Sequence, residues 1–130
     1  MTATDFVMPS LGGGRILVLA GEDDSAAAMT AMLRLYGFNA HTAPTLKDGQ
    51  ALACDHVPHV VLLDLPLEGS EDPSVIHQIR TWTGSPAVVV VSGHTESIYR
   101  DAAQAAGAAG YLLKPAEPVE VIKLVQQFVI

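Results

Sequence analysis

Three polar residues stand at the ends of short apolar runs in this 130-residue chain. Asp64 follows the run over residues 60–63, Ser92 follows 87–91, and Lys114 follows 111–113 and precedes Pro115. A fourth run, residues 16–19, leads into Ala20, Gly21, Glu22, Asp23 and Asp24. A carboxylate can attack phosphorus and hold a phosphoryl group as an acyl phosphate. The charge that develops on the phosphoryl oxygens calls for cations, which a lysine and a Mg²⁺ ion can supply. A serine hydroxyl can hydrogen-bond one of those oxygens. Each residue also has an ordinary role: Asp as an acceptor of backbone N–H groups, Ser as a turn hydroxyl, Lys as a solvated loop cation. The conjunction at three strand ends gives the chemical reading its weight.

That conjunction needs a scaffold in which the strand ends meet. From Arg15 the chain alternates strand and helix. Residues 16–19 form a solid apolar run, as in a strand buried on both faces. Met29, Met32, Leu33 and Tyr36 recur at helical spacing, and Gly37 stops that helix. Residues 38–42 read as a second strand. Pro44 and Thr45 open a second helix, with Thr45 and Asp48 spaced as in a capping box. After the strand over 60–63, Asp72 and Pro73 start a third helix with the stripe Val75, Ile76 and Ile79. Gly84 and Pro86 lead into the strand over 87–91. Ile98, Ala102 and Ala105 mark a fourth helix ending at Gly107. Val121, Leu124, Val125, Phe128 and Val129 mark a fifth that runs to the chain end. Repeated strand–helix units predict a parallel sheet with helices on both faces. In such a sheet the carboxyl ends of the strands form the edge where ligands bind.

Composition narrows the partners. Apolar residues make up 49% and charged residues 16%, a globular composition. Acids outnumber bases 14 to 7, for a net charge of -7. This argues against nucleic acid or an anionic membrane as a direct partner. No apolar run approaches the roughly 18 residues of a membrane span. The amino terminus lacks the pattern of a secretory signal, and Cys54 is the sole cysteine. A cytoplasmic protein is expected. Residues 1–14 read as a flexible tail ending in Gly12, Gly13 and Gly14, and residues 15–130 as one domain.

The stretches RILVLA, LRLYGF, PHVVLLD ending at Asp64, VVVVSG around Ser92 and AAGAAGYLLKP ending at Lys114 and Pro115 resemble the receiver domains of bacterial response regulators. The resemblance spans residues 15–130. It implies a flavodoxin-like (βα)5 three-layer α/β sandwich with a five-stranded parallel sheet of order 2-1-3-4-5. It implies that Asp64 accepts a phosphoryl group from a histidine kinase or phosphotransfer protein. Lys114 would pair with the phosphoryl oxygens, and Ser92 would swing toward them. Tyr111 would follow as a rotamer switch on the face of the fourth helix, fifth strand and fifth helix, passing the signal to a downstream protein. The Lys114–Pro115 peptide would be cis. Such a chain is a phosphoacceptor, with at most autophosphatase activity, rather than an enzyme.

One departure bears on the metal. Receivers usually carry two adjacent acids after the first strand, which hold Mg²⁺. Counting back from Gly37 places Ala20 and Gly21 there, and neither side chain can ligate. A site of Asp64, a backbone carbonyl and waters would hold Mg²⁺ weakly or not at all. Glu22 and Asp23 could supplement it, although Asp23 and Asp24 also sit where acids favour a helix amino terminus. The loop after Asp64 departs too, with Pro66 two residues on and Glu68 and Asp72 where proline and glycine are common. A second reading follows: a pseudo-receiver, an interaction module independent of phosphorylation. A flavodoxin-like or nucleotide-binding enzyme fits less well, because a single glycine, Gly21, follows the first strand. Cys54, His56 and His59 match no common zinc spacing and read as surface loop residues. His94, on the active edge, reads as an exposed loop histidine, and Trp82 as a packing residue.

Overall fold

A computed structural model describes residues 14–21, 24–65, 67 and 72–129. Five strands alternate with five helices: β1 (Arg15–Leu19), α1 (Asp24–Leu35), β2 (Asn39–Ala43), α2 (Leu46–His56), β3 (Val60–Asp64), α3 (Ser74–Arg80), β4 (Ala87–Ser92), α4 (Ser97–Ala105), β5 (Gly110–Leu113) and α5 (Pro118–Gln126). All strand pairs are parallel, in the order β2-β1-β3-β4-β5. The expected α/β fold and strand order are therefore observed. β1, β3 and β4 are buried along nearly their whole length because both faces of the sheet are covered. Side chains alternate across the sheet. Ile16 and Val18 pack toward α1 and α5 with Leu33, Val121 and Val125. Leu17 and Leu19 pack the other way, with Ile76, Ile79, Trp82 and Ala103.

Local signals explain most boundaries. Thr45 caps α2, its hydroxyl accepting the Asp48 N–H at 3.0 Å. The Asp72 carboxylate accepts the Ser74 N–H at 2.9 Å at the start of α3. Gly37, at φ 94°, ends α1 in the left-handed region that glycine favours.

Four expectations need correction. In the α1 stripe Leu33 is buried and Met29 and Met32 pack partly against the core, but Tyr36 is 40% exposed just past the helix end. In α4 the buried residue is Ala103; Ile98 is 69% exposed, and Ala105 also faces solvent. Alanines at several phases of that helix made its inward face ambiguous in the sequence. Phe128 and Val129 lie beyond α5 yet still pack on the core. Gly14 is buried against Phe38 and Val129, and its carbonyl accepts the Asn39 N–H at 2.8 Å, so it belongs to the sheet rather than to the lead-in. Residues 1–13 lie outside the described residues.

Candidate functional site

Register brings the polar residues to one edge. Leu19 is level with Leu63, and Asp64 with Val91. Ser92 is level with Leu113, so Lys114 begins where β5 ends. Backbone bonds extend the ladder one step past the strands: Leu65 N–H to Val91 carbonyl and Lys114 N–H to Ser92 carbonyl, each at 2.8 Å. Asp64 and Ser92 are each the last residue of a strand, not the first after it. Hence both are nearly inaccessible, at 6% and 1% exposure.

Asp64 and Lys114 meet. The Lys114 Nζ lies 2.5 Å from Asp64 Oδ1 and donates a hydrogen bond to the Leu65 carbonyl, also at 2.5 Å. The contact with Asp64 is an ion pair without an aligned hydrogen bond: Oδ1 is buried and has no hydrogen-bond partner among the described residues. The Lys114 ammonium takes up one side of this oxygen, and a carboxylate oxygen has more than one lone pair. The peptide between Lys114 and Pro115 is cis. A cavity of about 550 Å³ opens beside the pair, lined by Met29 and Met32 of α1 and by Pro115, Ala116 and Val121.

Ser92 and Tyr111 converge on the loop between β4 and α4. The Ser92 Oγ accepts the His94 N–H at 3.1 Å, and the Tyr111 hydroxyl donates to the His94 carbonyl at 3.1 Å. The His94 ring stacks on Tyr99 at 4.0 Å, and the Arg100 guanidinium sits 5.4 Å from the Tyr111 ring centre. One residue of that loop thus touches both Ser92 and Tyr111 through its backbone. Sequence reasoning weighed His94 for its ring and missed this role, because any residue can supply a backbone amide. The Leu65 carbonyl as second acceptor for Lys114 left no signal for the same reason.

The donor set for a divalent cation is short. Ala20 is 1% exposed and its side chain has no donor atom; Gly21 has no side chain. Glu22 and Asp23 lie outside the described residues, as do Pro66 and Glu68. No group of three His, Cys, Asp or Glu residues suited to a metal forms among the described residues. Among the described residues Asp64 supplies a carboxylate at this edge, and Mg²⁺ ordinarily takes one or two carboxylates together with phosphate oxygens and water. His56 and His59 are not plain surface loop residues: each is partly buried at the opposite edge of the sheet. Cys54 is exposed, and Trp82 is buried. Among the described residues no helix is long and apolar enough to cross a membrane.

Known proteins resemble this chain in sequence and in fold. The chain is 34% identical over 100 residues to the transcriptional regulatory protein KdpE of Mycobacterium tuberculosis, covering 77% of this chain and 44% of KdpE. It is 32% identical over 120 residues to the photosynthetic apparatus regulatory protein RegA of Cereibacter sphaeroides, covering 92% of this chain and 65% of RegA. The chain therefore spans about half to two thirds of the length of these relatives. Among solved structures, a signal receiver domain from Bermanella marisrubri superposes with a TM-score of 0.80 at 24% identity, covering 91% of this chain and 99% of that one. The receiver domain of sensor histidine kinase PA1611 from Pseudomonas aeruginosa superposes with a TM-score of 0.77 at 20% identity, covering 90% and 98%; that structure holds a magnesium ion in its active-site cleft. The family profile of the response regulator receiver domain matches residues 16–126. With its sheet order, the pairing of Asp64 with Lys114 and this match, the chain belongs to the response regulator receiver domains.

Proposed function

We propose that Asp64 accepts a phosphoryl group within a two-component phosphorelay, donated by a phosphohistidine on a histidine kinase or phosphotransfer protein. A carboxylate oxygen attacks phosphorus, the P–N bond breaks, and the imidazole leaves with its electron pair. Lys114 meets the charge on the phosphoryl oxygens as the anion forms. Ser92 gives up the His94 N–H and turns toward the phosphoryl group, and Tyr111 follows it. The face of α4, β5 and α5 then changes its affinity for a downstream protein partner, as local charge switches do. Water attack on the acyl phosphate resets the site. Residues 15–130, with Gly14 joined to the sheet, act as this unit in the cytoplasm, by contact with proteins rather than with nucleic acid or membrane.

The observation that carries this reading is the ion pair of Lys114 Nζ with a buried Asp64 oxygen that has no aligned hydrogen bond. A specific observation favours a second reading. Buried Ala20 and half-buried Gly21 follow β1, where the resemblance implies the metal-binding acids of a receiver, which supports weak or absent Mg²⁺ binding and a phosphorylation-independent interaction module. Incubation with a small acyl phosphate, with and without Mg²⁺, followed by intact mass measurement separates the two. A single phosphate adduct absent from Asp64→Asn supports phosphoryl acceptance. No adduct even at high Mg²⁺ leaves the interaction module.

A further inference from the structure

The sheet edge opposite Asp64 carries two part-buried histidines, and at His59 the geometry requires a ring nitrogen with a free lone pair. His59 immediately precedes β3, and its Nδ1 accepts the Arg15 backbone N–H at 3.0 Å. That nitrogen therefore holds a lone pair; a proton there would turn an acceptor into a donor facing a donor. The His59 N–H also donates to the Arg15 carbonyl at 2.8 Å, so this residue closes the start of β1 against β3 on both sides. Arg15 Nε donates to the Val57 carbonyl at 2.7 Å. Val57 is β-branched, yet it adopts φ 47° and ψ 70°, a left-handed conformation such side chains avoid. His56 ends α2. Its Nε2 is buried without a hydrogen-bond partner among the described residues, and its ring meets His41 of β2 edge to face at 4.1 Å.

The charges around these rings disfavour protonation. His41 on β2 and Arg15 on β1 face His56, and Arg15 faces His59; no carboxylate of the described residues stands among them. Burial and then His41 hold His56 below the usual imidazole range. The backbone carbonyls of Ile16 and Asn39 pull the other way. Burial and then the Arg15 guanidinium lower His59.

We propose that this edge is a proton-sensitive latch, in which neutral His59 and His56 hold the start of β1 to the α2–β3 turn and their protonation opens that junction while the phosphoryl edge stays folded. Protonated His59 repels the Arg15 N–H it now binds, and the added charge sits beside the Arg15 guanidinium. Loss of the Arg15 clamp frees Val57 from its left-handed conformation. The inference is independent of whether Asp64 accepts phosphate.

Amide hydrogen exchange on the whole chain at about pH 7.5 and about pH 5.5, corrected for the intrinsic pH dependence of exchange, tests the latch. On acidification, the Arg15 and Val57 amides lose protection. The Leu65 and Lys114 amides at the other edge keep theirs. In His59→Asn, whose side-chain oxygen can stand in for Nδ1 without titrating, the loss at Arg15 shrinks, and His56→Phe added to it removes the loss. Unchanged protection at Arg15, an equal loss at Leu65, or an undiminished loss in the double variant overturns the proposal. Should the double variant not fold, the wild-type imidazole resonances decide. A His59 midpoint below the usual value of about 6.5, with the Arg15 amide shifting in step, supports the latch. A midpoint at or above it, or a silent Arg15 amide, overturns it.

Discussion

Removing the ammonium from Lys114 would leave a carboxylate that is 6% exposed and has no other cation beside it among the described residues. Lys114 itself is 37% exposed, so water screens part of the pairing. Between the weak surface pair and the costly broken buried pair, a coupling of about 1–2 kcal/mol is expected. A double-mutant cycle of Lys114→Met and Asp64→Asn, followed by urea unfolding, reads it directly. Additive single effects would mean that the pair is electrostatically idle in the resting protein. Lys114→Met should also slow phosphotransfer from a small acyl phosphate by about a hundredfold, because the phosphoryl charge loses its nearest cation. Tyr111 makes a weaker claim. Its hydroxyl bond to the His94 carbonyl is solvent-exposed, so Tyr111→Phe should cost no more than about 1 kcal/mol of stability. Its effect should instead appear as faster amide exchange in the loop of His94; unchanged exchange there would reduce Tyr111 to a strand aromatic.

At the scale of elements, propensity and packing disagree at Gly49. An interior helical glycine normally gains about 1 kcal/mol on replacement by alanine. In α2, however, the added Cβ would collide with the Leu19 side chain, which is fully buried and backed by Trp82 at 3.4 Å from the same point. Overpacking costs about 1–3 kcal/mol, so Gly49→Ala should lower stability by about 1 kcal/mol in urea unfolding. A gain would show that Leu19 can move aside freely. The same contrast explains what could be read from the chain alone. Solid apolar runs made β1, β3 and β4 legible, because a strand buried on both faces has little other sequence form. Thr45 and Gly37 marked helix ends by chemistry local to them. The inward face of α4 was not legible, since alanine fits several phases and Ala103 is chosen by the sheet it meets. Asp64, Ser92 and Lys114 were legible because a parallel sheet turns strand ends into one edge. The His94 backbone link and the part-buried settings of His56 and His59 were not, because they arise from contacts distant in sequence.

Over the whole molecule, two terms of opposite sign act as pH falls from neutrality. The chain carries a net charge of -7 near pH 7 and an isoelectric point of about 4.9, so acidification relieves self-repulsion and favours the folded state. Against this, His56 and His59 are both held below the usual imidazole value. The unfolded chain therefore takes up more protons than the folded one as pH drops through about 6.5. Their contribution is fully present above that pH and is lost as pH falls toward the lower folded-state values. Salt decides between the terms. At about 0.15 M the screening length is roughly 8 Å, so repulsion between surface charges farther apart than that is largely damped, whereas part-buried rings are screened little. The urea midpoint should therefore fall between about pH 7.5 and about pH 5.5 at that ionic strength. It should fall less at about 0.01 M, where repulsion reaches roughly 30 Å and its relief counts for more. In the His56→Phe, His59→Asn variant only the charge term remains, and the midpoint should stay level or rise on acidification. A wild-type midpoint that rises at 0.15 M would mean that net charge, not these two rings, governs how the fold responds to acid.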